Sequence, residues 1–445
     1  MKNFLKTVLL VTFLGTVLSG CTRVATPEEL LHPPELNLEK KGMKDAMEKF
    51  LPANATFTVL PALDEIEKED AFTKRDLDGS GTEELIAFYR DKSTKLIGIM
   101  VLREENGVWS SIADIKLKSF EILQYSIKDL DGDGKREIII GTQGDEQFSY
   151  GKKLTILGFN EDNIEPIVEM PYLAGDVYDI NGDGFYEVVV TYQDTTTLEN
   201  RLRVMNYRDG KMTRMAETGL YPGTEPYSIK ISGVYEDKKA IFVDSFIGGQ
   251  EGKTEVFFYT DKSLKDSMEV LGLSLPKKVF PVQSKDMDSN GIMEIGFPFL
   301  PPEGKNMYEP SKPWVKSYYN ITSEGTLKLS KQIYEDYRMG FLFEIPESFT
   351  SRYTLEKDDE ERVLRVNFID SQNNPHLLSE IRIMNKSEWE QTEQVLQVIS
   401  ESSEEITGGR VEDFSEDLNE EDKALYLRMR SDILNLSNVT KPIGL

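Results

Sequence analysis

An acidic loop of nine residues recurs at a near-constant interval along this chain, and that recurrence limits what the chain can fold into. Asp76-Leu77-Asp78-Gly79-Ser80-Gly81-Thr82-Glu83-Glu84 returns as Asp129-Leu130-Asp131-Gly132-Asp133-Gly134-Lys135-Arg136-Glu137. It returns again from Asp179 to Glu187 and from Asp286 to Glu294. A worn copy is marked by its flank. Tyr227-Ser228-Ile229-Lys230 repeats Tyr125-Ser126-Ile127-Lys128, and Ile231 stands where the first aspartate belongs. The five starts, 76, 129, 179, 231 and 286, lie 53, 50, 52 and 55 residues apart. A period of that size marks a repeat architecture.

A second feature keeps the same phase. A polar turn separates two strand-like runs in each unit: Asn106-Gly107 in the first, Asp209-Gly210 in the third. Asn160 to Asn163, Asp261 to Ser263 and Ser323 to Gly325 do so in the others. Asn-Gly and Asp-Gly are favoured in tight hairpins, where both central residues take positive φ. The run after each loop is continuously apolar, as in Leu85-Ile86-Ala87-Phe88, Ile138-Ile139-Ile140 and Val188-Val189-Val190. Such runs suit strands buried on both faces. Each unit therefore reads as strand, acidic loop, strand, strand, hairpin, strand, the size of one propeller blade. The fold class predicted is mainly β: a five-bladed β-propeller over 54–332, with a β-solenoid as the weaker alternative.

Loop positions 1, 3 and 5 carry short side-chain oxygens, position 6 is glycine and position 9 is glutamate. Alternating Asp and Asn on a tight turn aim three oxygens at one point, and the glycine allows the bend. Hard oxygen donors of this number suit calcium better than magnesium or zinc. The predicted ligands are Asp76, Asp78, Ser80 and Glu84; Asp129, Asp131, Asp133 and Glu137; Asp179, Asn181, Asp183 and Glu187; and Asp286, Asp288, Asn290 and Glu294. That makes about four structural sites, each neutralising carboxylates that otherwise repel. The second, with four carboxylates, is expected to be tightest, and the fourth repeat, ISGVYEDKK, to be empty. The alternative is a plain acidic turn capped by its own hydrogen bonds. An EF-hand is excluded, because position 12 is Ala87, Ile140, Val190 or Phe297 instead of glutamate and the flanks are strands.

The loops resemble the calcium loop between blade strands in the integrin α-type FG-GAP and VCBS propeller repeats. The resemblance covers about 280 residues and implies a calcium-bearing propeller. This chain departs from the family in using Glu at position 9, commonly Asp there, and in its five units, where seven are usual.

Ahead of the repeats, Lys2 and Lys6 precede an apolar stretch from Val8 to Leu18, then Ser19-Gly20-Cys21. Eleven residues at about 1.5 Å each do not span a bilayer, so 1–20 read as a signal peptide. The segment resembles a bacterial lipoprotein signal, which implies lipidation of Cys21, the chain's one cysteine. The alternative is an ordinary signal with a chance cysteine. Two acyl chains suffice for stable anchoring. Residues 21–53 read as a proline-interrupted tether and a short helix with a stripe of Met43, Ala46, Met47, Phe50 and Leu51. Residues 333–445 read as a small α+β domain, with helices over 386–400 and 420–434.

With 78 acidic against 52 basic residues, a net of −26, nucleic acid is not an expected partner. One cysteine excludes an intramolecular disulfide, and the two histidines, His32 and His376, leave little room for a triad. No nucleophile elbow, Walker loop or dinucleotide fingerprint is present in the mature chain. The expectation is a non-enzymatic, lipid-anchored binding or scaffold protein outside the bacterial cell membrane, with a protein or glycan partner. The alternatives are a calcium-dependent carbohydrate-active enzyme, a glycosidase or lyase, and an envelope assembly factor. The proline-rich insertion 301–314 offers Tyr308 and Trp314 as partner contacts, or else covers the edge of the repeats.

Overall fold

Each repeat folds as its own antiparallel sheet. The computed structural model describes residues 38–58, 72–144, 151–160, 162–302, 313–349, 351–391, 396–413 and 418–443. The first sheet pairs Glu84–Asp91, Ile97–Glu105 and Val108–Lys116, and both Phe72–Arg75 and Ala55–Phe57 lie along the free edge of Glu84–Asp91. The second runs Glu121–Lys128, Glu137–Gln143, Lys152–Asn160 and Asn163–Pro171. The third is Ala174–Tyr178, Glu187–Gln193, Asn200–Arg208 and Lys211–Gly219, and the fourth is Thr224–Tyr235, Lys238–Ile247, Glu251–Thr260 and Ser263–Asp266. In the fifth, Ile295–Phe299, Val315–Ile321 and Leu327–Asp336 pair in order, and the first strand shrinks to one bridge, Lys285 to Glu294. The hairpins turn where the sequence placed them: φ is 52° and 77° at Asn106-Gly107, and 51° and 71° at Asp209-Gly210.

The apolar runs after the first three loops, Leu85–Phe88, Ile138–Ile140 and Val188–Val190, are buried throughout, as two-faced burial requires, while after the fifth only Ile295 and Gly296 are fully buried. Alternation then sends neighbouring side chains to opposite faces. Ile86 and Phe88 meet Ile138 and Ile140 of the second sheet, while Ile139 turns the other way onto Val188 and Val190 of the third. Val189 and Val204 pack on Ile241 and Val243, and Phe242 and Phe258 pack on Met293 and Ile295. Each such side chain contributes about 1.5–3 kcal/mol. The remaining face of the first sheet, Leu85, Ala87 and Tyr89, is covered by Met47 and Phe50 of the helix Leu38–Phe50. The fifth sheet buries Val315 and Tyr334 against the C-terminal part. Among the described residues no core cluster joins the fifth sheet to the first, so ring closure is not among these contacts.

The first strands converge. Phe72–Arg75, Glu121–Lys128, Ala174–Tyr178 and Thr224–Tyr235, with Gln283 ahead of the fifth loop, line one cavity of about 660 Å³. Asp176 accepts the Ile231 amide at 3.0 Å, and Gln283 donates to Ser228 at 2.9 Å, tying first strands of neighbouring sheets together.

The C-terminal part is α+β. Its sheet runs Tyr353–Asp358, Val363–Ile369, Pro375–Asn385, Glu405–Val411 and Gln397–Glu401, and the helix Glu420–Asp432 packs Tyr426 and Met429 into the same core. The boundary expected at 332/333 falls inside Leu327–Asp336, and Phe341–Ile345 and Thr440–Pro442 continue the fifth sheet beyond it. The helix expected over 386–400 is shorter. It covers Lys386–Gln391, and Gln397–Glu401 is an edge strand whose backbone pairs with Glu405–Val411, with a register shift at Ile399.

Candidate metal loops and the cavity beside them

Four loops share one backbone scheme. The glutamate at position 9 opens the second strand, so its side chain is buried; Glu84, Glu137, Glu187 and Glu294 are all under 5% exposed. One of its oxygens, Oε2, accepts the amide of position 2: from Leu77 and Leu130 at 2.8 Å, Ile180 at 3.1 Å and Met287 at 2.8 Å. The first aspartate accepts the amide of the position 6 glycine, at 3.0 Å for Gly81, 3.1 Å for Gly134, 3.0 Å for Gly184 and 2.7 Å for Gly291. Those glycines have φ between 83° and 90°, a region other residues rarely enter. Hydrogen bonds of this kind close the turn by themselves. They also leave further carboxylate oxygens facing each other.

In three loops those oxygens converge. Single oxygens of Asp76, Asp78 and Glu84 lie within 4.8 Å of one another, as do those of Asp129, Asp131 and Glu137, and of Asp286, Asp288 and Glu294. The third loop has an amide in the set: Asn181 donates to Asp183 at 3.1 Å and to Glu187 at 3.3 Å. The fourth repeat has no loop. Its first strand runs straight through Ile231 to Tyr235 and turns at Glu236 into Lys238.

What separates the loops is the residue across from the buried glutamate on the third strand. Leu102 pairs with Leu85, Leu157 with Ile138, Met205 with Val188 and Tyr319 with Ile295. The next residues, Arg103, Gly158, Asn206 and Asn320, therefore face the glutamates. Arg103 sits on the first cluster, with Nη2 2.8 Å from Asp78 and Nε 3.1 Å from Glu84. Asn320 donates to Glu294 Oε1 at 2.9 Å. Gly158 supplies nothing. Burial chiefly, then Asp131, Asp133 and Asp129, push the Glu137 carboxyl up to about 7 against the pull of the Leu130 amide. Burial and Asp133 likewise raise Asp131. Glu187 is lifted to about 7 by burial and by Asp183 and Asp179, with Arg208 opposing. The first loop, expected to take calcium, thus already carries a cation of its own on two predicted ligands, while the second holds an excess of negative charge. The sequence reading missed Arg103, although it stands three residues before the Asn106-Gly107 turn, in phase with Gly158, Asn206 and Asn320.

Neighbouring loops touch. The Arg136 amide donates to the Leu77 carbonyl at 2.7 Å, and its guanidinium reaches the Asp76 carbonyl at 3.1 Å. The Phe185 ring lies on Gly132 so closely that a Cβ there would stand 2.2 Å from it, and Arg208 covers that ring at 4.3 Å.

The other expected site residues divide. Trp314 is half-buried and meets Phe280 edge-on at 5.2 Å, the position of a packing residue. Tyr308 and Cys21 lie outside the described residues, as do 1–20 and the tether with His32. His376 contacts Asp370 at 3.1 Å in the C-terminal sheet, away from the loops. No helix among the described residues is long and apolar enough to cross a membrane.

The cavity between the first strands was not foreseen. Its charged lining is Arg75, Lys128, Lys230 and Asp176. Both oxygens of Asp176 are engaged, by the amides of Val177 at 2.8 Å and Ile231 at 3.0 Å.

No family model matches this chain, and no curated protein matches it. Among solved structures, it is similar to a protein from Lactobacillus plantarum, at 9% identity over 68% of this chain and 82% of that one, with a TM-score of 0.32. It is also similar to the exotype rhamnogalacturonan lyase YesX, at 14% identity, 73% and 68% coverage and a TM-score of 0.30. The rhamnogalacturonan lyase YesW matches at 12% identity, 72% and 74% coverage and a TM-score of 0.29.

Proposed function

We propose that this protein is a lipid-anchored binding protein of the extracytoplasmic membrane face, whose propeller-like row of sheets is stiffened by calcium and presents a ligand site. The loops supply hard oxygen donors on a closed turn, the donor chemistry that calcium takes. We assign calcium to the second, third and fifth loops, and a built-in arginine to the first. Each ion would pin the turn between two strands and, through the contacts from Arg136 to Leu77 and from Phe185 to Gly132, one sheet to the next. The Cys21 lipid would hold this scaffold at the membrane.

The observation that carries the choice of binding over glycoside hydrolysis is the cavity's acid content. Hydrolysis of glycosides ordinarily uses two carboxyl groups flanking the bond. Among the described residues the cavity holds one, Asp176, and both of its oxygens accept backbone amides. A thermal melt in EDTA, in millimolar calcium and in millimolar magnesium tests the metal part. A calcium-specific rise is expected; equal melts in all three would reject it. Anchoring is tested by metabolic labelling with a fatty acid, which should be lost in Cys21→Ser.

A further inference from the structure

The cavity ringed by the first strands has the opposite charge balance from the rest of the chain. Acidic residues outnumber basic ones 78 to 52 overall, yet among the described residues this cavity is lined by three cations, Arg75, Lys128 and Lys230, and one carboxylate. A neighbouring cavity of about 510 Å³ shares Arg75 and Lys128 with it and adds Arg136 and Asp129, so the basic character continues toward the second loop. The cations come from three different first strands, Arg75 and Lys128 closing Phe72–Arg75 and Glu121–Lys128 and Lys230 lying midway along Thr224–Tyr235. Gln124, Ser126, Ser228 and Gln283 line the same space, so hydrogen-bonding groups accompany the charges. Its volume falls within the range of about 300–1,000 Å³ typical of small-ligand sites.

We infer that this cavity binds a short acidic oligosaccharide, a sugar chain of a few units bearing carboxylates. The inference rests on the binding reading above and names its ligand class. Three features select that class. Cations drawn from separate strands match single charges spread along a ligand better than one compact dianion. Amide and hydroxyl side chains between them match sugar hydroxyls, and Tyr125, Tyr178 and Tyr227 complete the walls. A net charge of −26 repels long polyanions at a distance, so the ligand must be short enough for the local cations to prevail.

The test is calorimetric titration of the protein in calcium with a glucuronic acid trimer and with maltotriose, trimers that share the glucose ring but differ in the carboxylate. Binding of the acidic trimer alone is expected, weakening about tenfold or more between about 50 and 500 mM salt. Lys128→Ala/Lys230→Ala should cost about tenfold in affinity or more while keeping the wild-type melt, and Arg75→Gln should repeat the loss. Equal affinity for maltotriose would overturn the inference, as would no binding of either trimer. Displacement of the acidic trimer by inorganic phosphate at the same concentration would also overturn it, since the site would then recognise charge alone. The calcium melt is run on the same samples. A calcium shift without trimer binding rejects this inference and leaves the scaffold reading standing; trimer binding without a calcium shift does the reverse.

Discussion

The first and second loops share the hydrogen bonds donated by the amides of positions 2, 5, 6 and 7, the second adds one from Gly132 to Asp129, and they differ in what stands across from the glutamate. In the first, Arg103 brings a guanidinium to Asp78 and Glu84; in the second, Gly158 brings no side chain and Glu137 is left among three aspartates. On the calcium reading, the same turn has two solutions to one electrostatic problem. Clustered carboxylates at the end of a buried strand need a positive partner, which can be part of the chain or can come from solution. The internal partner is always present and makes the turn independent of the medium. The external one makes it responsive. The third and fifth loops lie between, with Asn181 and Asn320 donating an amide hydrogen to the glutamate without adding charge.

The largest effect should come from removing the internal cation. Arg103→Ala leaves Glu84, 1% exposed, with no charge partner, and breaking a buried pair costs about 3–5 kcal/mol. Because Asp78 and Arg103 are at the rim, we expect about 3 kcal/mol in EDTA by urea unfolding. Calcium should recover much of it, for the emptied loop then matches the second. A variant whose calcium shift is no larger than that of the wild-type protein would show that the first loop cannot hold an ion even when vacated.

Next is the external cation. At a calcium concentration 100 times Kd one site adds about 2.7 kcal/mol, so wild-type protein should melt several degrees higher in calcium than in EDTA. Asp131→Ala/Asp133→Ala should remove the share that belongs to the second loop and leave the melt in EDTA nearly unchanged. If the variant keeps the full calcium shift, the ion sits elsewhere.

How far the sequence alone carries can be judged on these same residues. The loops, their period and the hairpins were legible because each is local: Gly81 and Gly134 need positive φ, and Asn106-Gly107 sets its own turn. The C-terminal edge of the repeats was not: Phe341–Ile345 extends the fifth sheet by a short hairpin from Leu327–Asp336, and Thr440 then pairs with Phe343 across about a hundred residues. Strand Gln397–Glu401 was mistaken for helix because an edge to pair with decides that segment, not its own propensity. Arg103 was overlooked since it belongs to the third strand, although its phase relative to the hairpin turn carried the signal. The cavity lining was hidden for a related reason. Arg75, Lys128 and Lys230 are each unremarkable in sequence and gain meaning only when three first strands meet.

Exchange of the two solutions sharpens the comparison further. Gly158→Arg places in the second sheet the residue that the first already has. Its Cβ would meet only the tip of Ile167, at 2.8 Å, which a rotamer change relieves. We expect a gain of about 1 kcal/mol in EDTA and loss of the second loop's calcium response, read by paired melts. Retained calcium binding with an added arginine would mean that the ion and the guanidinium do not compete for one place.

The last prediction concerns pH dependence, and its sign is set by the raised glutamates. Glu137 and Glu187 titrate near 7 in the folded chain and near 4.5 when unfolded. Between those values the folded state holds protons that the unfolded state has lost. Stability in EDTA is therefore highest on this account below about pH 4.5 and falls as pH rises through 7. Calcium binds the ionised form, so it should flatten that fall by replacing the protons with an ion, whereas magnesium should not. Urea midpoints at pH 5.0, 6.0, 7.0 and 8.0, each in EDTA and in calcium, measure both slopes. Parallel slopes in the two media would mean that the ion does not take the place of the Glu137 proton, and the contrast between the arginine loop and the glycine loop would then lie in packing and not in charge.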